Sequence, residues 1–105
     1  MNITELEKMI ADGRDSAMLR LTLARLLTQA ERWDNAAGHL QSALTQNPAY
    51  SAAWKELGRV YLAMGQDDAA LGAWREGVEV ARAQGDKQAE KEMGVFLKRL
   101  LKEKR

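Results

Sequence analysis

His39 is the chain's only histidine, and there is no cysteine. It is therefore the one side chain whose ordinary pKa suits proton transfer near neutrality or a neutral nitrogen ligand for a metal. Either role draws on several convergent groups. The residue one helical turn on is Ala43, so no second ligand shares its face, and without cysteine both thiolate sites and disulfides are excluded. The sequence has no G-x-x-x-x-G-K phosphate loop and no nucleophile elbow. These features give no catalytic set, no metal site and no cofactor. His39 is expected to be a surface histidine and the chain is expected not to be an enzyme.

Charge points to binding without naming a partner. The 16 Lys and Arg against 15 Asp and Glu leave a net charge of +1, too balanced to argue for nucleic acid or an anionic membrane. The tail Lys98-Arg99-Leu100-Leu101-Lys102-Glu103-Lys104-Arg105 is basic. It has no interleaved aromatics, and cations at a helix C-terminus offset the macrodipole without any ligand. No nucleic-acid or membrane partner is expected.

Helices must position these charges. The 105 residues support one domain, in which folding hides somewhat under ~70% of the surface an unfolded chain exposes. One proline, few β-branched residues and abundant Leu, Ala, Glu, Lys and Arg favour an all-α fold. The start, Met-Asn-Ile-Thr-Glu-Leu-Glu-Lys, has no basic segment leading into an apolar run. No apolar run approaches the ~20 residues that span a bilayer, and a cytoplasmic location is expected.

The stretch Trp54-Lys-Glu-Leu57-Gly58-Arg-Val-Tyr61 organises the rest. Its large residues fall three and four apart, one apolar stripe on a helix, with a notch at Gly58 that invites a second helix to pack close. After the turn Met64-Gly65-Gln66-Asp67-Asp68, the small Ala70 and the large Trp74 stand one turn apart. This pattern resembles the tetratricopeptide repeat (TPR), written W-x2-L-G-x2-Y, then A-x3-F, then P, over 34 residues. Arg82 stands where the proline is expected.

Sliding that stretch back 34 residues superposes Leu23 on Leu57, Ala24 on Gly58, Leu27 on Tyr61, Ala36 on Ala70 and Leu40 on Trp74. Small stays small and large stays large. Pro48 holds the family's proline position, and Trp33 should wedge between the two helices. Arg20 replaces the tryptophan and Glu31 the turn glycine. The expected layout is a single domain: a capping helix in residues 1–16, repeats over 17–50 and 51–84, and a C-terminal capping helix in 85–105. Thr4 and Glu7 have capping-box spacing for the first helix. In the second repeat, lacking the proline, the helix should run to about Gln84, with Gly85 and Asp86 as caps. Met93, Gly94 and Leu97 repeat Leu57, Gly58 and Tyr61 at 36 residues. The resemblance implies a TPR-type α-hairpin stack, a short right-handed solenoid of about six helices, with the motif residues used for packing.

In TPR proteins the first helices line a concave groove. Carried over, the groove positions are Met18, Leu21, Arg25 and Thr28, then Ala52, Lys55, Arg59 and Leu62, then Gln88, Lys91, Val95 and Lys98. None is acidic. The resemblance thus implies a protein-interaction module whose basic groove takes an extended, acidic peptide or protein segment. Leu21, Arg25, Lys55, Arg59, Leu62 and Lys91 are the candidate contacts; the alternative is that Lys55 and Arg59 are solvated residues on an exposed face. Some TPR domains clamp chaperone tails, but here Leu21 and Arg25, Glu56, and Gln88 and Glu92 hold those positions, with neither asparagine present and two acids instead. Such a clamp is not expected. A monomer is expected, the alternatives being a self-associating scaffold, with Leu97, Leu100 and Leu101 as dimer contacts, or an accessory subunit of a larger assembly.

Overall fold

The computed structural model describes residues 1–104, in six helices: α1 (Ile3–Ala11), α2 (Ala17–Gln29), α3 (Trp33–Gln46), α4 (Ser51–Ala63), α5 (Asp67–Gln84) and α6 (Lys87–Glu103). None of the described residues lies in a strand, and the fold is the all-α hairpin stack expected. Arg105, the last residue of the basic tail, lies outside the described residues.

The helix starts follow side-chain chemistry. Ser16 caps α2 by accepting the Leu19 N–H at 3.1 Å, and Asp86 caps α6 by accepting the Ala89 N–H at 3.1 Å. Gly85, at φ 73°, ends the 18-residue α5 in the left-handed region, as expected of a C-cap glycine. The first helix corrects the reading of Thr4. Asn2 is its cap: the Asn2 Oδ1 accepts the Glu5 N–H at 2.9 Å while its amide donates to the Glu5 carboxylate at 2.9 Å. Asn caps better than Thr, and the earlier start lets Ile3 pack against the core.

Consecutive helices pack against one another. In addition α2 touches α4 and α4 touches α6, whereas α3 and α5 do not meet. The principal extents of 45 × 29 × 19 Å describe two helix layers, since packed helices sit about 8–10 Å apart. In the second hairpin a Cβ on Gly58 would fall well inside 3.0 Å of the Trp74 ring, so Trp74 fills the gap that Gly58 leaves. The gap at Gly77 is filled chiefly by Met93 of α6, with Trp54 Cβ at 2.9 Å beside it. The first hairpin repeats the Gly58–Trp74 fit with Ala24 and Leu40, 1% and 0% exposed. Trp54 and Tyr61 pack on both apolar clusters, one over α1–α4 with Ala73 of α5 and one over α5–α6, and so join them. Trp33 packs at the margin of the first.

Where the second hairpin has Trp54, whose Nε1 donates to the Pro48 carbonyl at 2.9 Å, the first has a polar substitute. Arg20 donates to Asp15 through Nε at 2.8 Å and Nη2 at 2.7 Å, and Gln46 donates to the same carboxylate at 3.0 Å. Arg20 Nη1 lies 3.0 Å from His39 Nδ1. His39 is therefore half-buried and partnered, a correction to its reading as a plain surface residue. Leu100 is also corrected: at 4% exposure it belongs to the core and is closed to dimer contacts. Leu97 is half-buried and Leu101 remains 42% exposed.

Candidate functional site

The stacking of α4 beside α6 leaves a cleft between two first helices of successive hairpins. Its wider part is a depression of about 290 Å³ lined by Arg59 and Leu62 of α4, Trp74 of α5, and Phe96, Arg99 and Leu100 of α6, with Glu103 at one end. The Phe96 ring tilts at 45° against Trp74 with centroids 5.2 Å apart, which fixes its edge in the cleft wall. The Arg59 guanidinium carbon stands 5.1 Å from the Phe96 centroid, a cation–π contact that holds the charge over an apolar floor. Leu62 is 41% exposed beside it. A second depression of about 160 Å³ continues past Ala52, Lys55, Gln88 and Glu92.

The candidate residues fare differently. Lys55, Arg59 and Leu62 line this cleft. Arg25 joins from α2 through Glu56, whose Oε1 is 4.0 Å from Arg25 Nε and 3.6 Å from Arg59 Nη1. Leu21 is 3% exposed and sits in the core, where no ligand reaches it. Lys91 is exposed, but it lines a separate depression on another side of α6 with Val78 and Arg82.

The charge pattern also differs from the groove positions taken alone. Lys55 Nζ is 3.4 Å from Glu92 Oε2, so Lys55, Arg25 and Arg59 each face a carboxylate. Glu56 and Glu92 stand 36 residues apart, each directly after a groove lysine. That recurrence was the available signal. Phe96 and Arg99 escaped the reading because the groove register skips them, and both project into the cleft.

Nothing in this arrangement supplies a proton-transfer set. The histidine lies away from the cleft: burial and then the Arg20 charge push His39 below the ordinary histidine range. Because Arg20 only donates, the neutral ring must accept at Nδ1 and carry its proton on Nε2, an assignment made from the hydrogen bond. No group of three or more His, Cys, Asp or Glu among the described residues could hold a metal ion. Among them, no helix is long and apolar enough to cross a membrane.

Stacked antiparallel hairpins at a 34-residue interval, with first helices flanking a cleft of mixed charge and apolar floor, define a short helical-repeat protein. The tetratricopeptide repeat model matches residues 27–83, more than half of the chain. TPR repeat-containing protein PA0015 of Pseudomonas aeruginosa is 48% identical over 100 residues, 95% of either chain. The chain belongs to the tetratricopeptide repeat family, whose members generally mediate protein–protein interaction. Among solved structures, that of protein BPP2914 from Bordetella parapertussis matches with a TM-score of 0.84 at 42% identity, covering 96% of this chain and 88% of that one. A tetratricopeptide repeat domain protein from Salinibacter ruber shares the fold with a TM-score of 0.77 at 21% identity, over 82% of this chain and 96% of that one.

Proposed function

We propose that this protein captures an extended protein or peptide segment in the α4–α6 cleft, without chemistry of its own. The segment presents an apolar side chain to the floor made by Leu62 and Phe96, and a carboxylate to Arg59 and Arg99. The observation that carries this reading is the pairing of an exposed apolar floor with two guanidiniums in one depression. Arg59 has its side chain 49% exposed and, besides the Phe96 ring, pairs with Glu56 at 3.6 Å. At that length the pair is weak on the arginine side, and Glu56 keeps Arg25 at 4.0 Å if Arg59 turns to an incoming carboxylate, which gains a bidentate partner. Seating the apolar side chain then adds about 25 cal/mol for every Å² removed from water. Acid in the partner is favoured at the arginine end. At the Lys55 end Glu92 already answers the charge, which narrows the acidic requirement to one or two residues. We place the protein in the cytoplasm.

The experiment is fluorescence anisotropy with a labelled peptide carrying Leu or Phe flanked by Asp and Glu, titrated with wild type and with Arg59→Glu combined with Arg99→Glu. Losing charge-assisted contacts of about 1.5–3 kcal/mol weakens binding about tenfold or more. Unchanged affinity in a variant with the same circular dichroism spectrum rejects the cleft as the site.

A further inference from the structure

The two ends of the stack are the unmatched halves of one hairpin. Leu6, Leu40 and Trp74 recur at 34-residue spacing and are 1%, 0% and 2% exposed. α1 therefore holds the place of a second helix, with no first helix paired to it among the described residues. At the other end Gly94 repeats Gly58 at 36 residues, so α6 holds the place of a first helix, with no second helix paired to it among the described residues. A Cβ on Gly58 would run into Trp74, whereas one on Gly94 meets nothing within 4 Å. The notch is there and unfilled.

Exposure follows the same division. Of the large hydrophobics found exposed among the described residues, Met1 at 79% and Met18 at 71% lie at the α1–α2 end, and Val95 at 38% and Leu101 at 42% lie on α6. Only Leu62, in the cleft, lies elsewhere. Met1, Met9, Met18 and Leu19 line a depression of about 220 Å³ between α1 and α2, where a preceding first helix would lie. At the far end Val78, Gly94 and Val95 border an open depression of about 530 Å³. Charge differs between the ends: Lys87, Lys91 and Lys98 are exposed on α6, whereas Glu5 and Glu7 are exposed beside Lys8 on α1. None of these six is in an ion pair among the described residues.

We propose that copies of this protein add head to tail, α6 of one seating in the α1–α2 depression of the next and completing the broken hairpin. The contact is heterologous, so each copy keeps one open end and growth does not stop at a dimer. The like-charged lysines of α6 disfavour pairing of that end with itself. Methionines at the acceptor suit it, since their unbranched chains adapt to an incoming helix.

Sedimentation equilibrium over a wide concentration range tests this with two single-end variants, Met18→Glu and Leu101→Glu. For the wild type the mean mass rises from 11.7 kDa past twice that value without a plateau. Each variant alone stays at the monomer mass, because every copy lacks the same end. Mixed in equal amounts, the two give a one-to-one dimer that grows no further. Val95→Glu in place of Leu101→Glu gives the same pattern, so a folding defect in one variant does not decide the outcome. The proposal is overturned by a wild type that stays monomeric, by association of either variant with itself, or by a mixture that forms no dimer. Arg59→Glu with Arg99→Glu leaves the mass dependence unchanged, which keeps this test separate from that of the cleft.

Discussion

The indole of Trp74 lies against the bare Cα of Gly58 and donates its Nε1 hydrogen to the carbonyl oxygen of Lys55 at 3.2 Å. One side chain thus reads two features of the opposite helix: the missing Cβ and an accessible carbonyl one turn earlier. Gly58→Ala drives a methyl into a rigid ring held from behind by Phe96, and overpacking of this kind costs about 1–3 kcal/mol. The melting midpoint should fall by roughly 4–8 °C for each kcal/mol in a domain this size. Gly72→Ala is the matched control. It sits mid-helix with nothing within 4 Å of its new Cβ, and should raise stability by about 0.5–1 kcal/mol.

Glu31 holds φ 58° in the α2–α3 turn, where the α4–α5 turn has Gly65 at φ 76°, 34 residues on. A side chain in the left-handed region costs about 1–2 kcal/mol that glycine avoids, offset in part by the extra freedom glycine gives the unfolded chain. Glu31→Gly should therefore stabilise by about 0.5–1 kcal/mol in urea unfolding, and Gly65→Ala should destabilise by about 1 kcal/mol. A destabilised Glu31→Gly would show that the turn is held by something other than backbone conformation.

The Asp15–Arg20–His39 cluster predicts acid sensitivity in two windows. His39 is held below its ordinary value by burial and by Arg20, so the unfolded chain binds the proton first. Its contribution is complete above the unfolded pKa of about 6.5 and is lost as pH falls from there through the lower folded value. Asp15 is likewise held low, first by the hydrogen bond from Arg20 and then by that from Gln46. Its contribution is present above the ordinary carboxylate range and is lost only in stronger acid. Urea midpoints measured against pH should fall below about pH 6.5 in the wild type, and His39→Gln should remove that first decline while keeping the second. An identical pH profile for the variant would contradict the assignment.

The fold was legible because it rests on side-chain volume at fixed spacing. Small-large pairs such as Ala24 with Leu40 and Gly58 with Trp74 survive a 34-residue shift with few identities, since a hairpin contact constrains size more than chemistry. The cleft was legible only in part. Spacing on one helix placed Lys55, Arg59 and Leu62 together, but it could not show that Leu21 is buried in the core or that Lys91 turns away beside α5. Charge was the weakest guide: Glu56 and Glu92 fall off the groove register by one residue, yet long side chains bring them to within 3.4–4.0 Å of its cations. Thr4 failed as a cap for a related reason, because Asn2 offered the same chemistry two residues earlier.

The most direct test of cleft capture is an amide-resolved NMR titration of the isotope-labelled protein with the acidic, Leu- or Phe-bearing peptide. Saturable shifts should concentrate on Arg59, Leu62, Phe96 and Arg99, with the Trp74 indole resonance moving in step. Shifts confined to α1, α3 and the outer face of α5, or none at saturating peptide, would contradict the account.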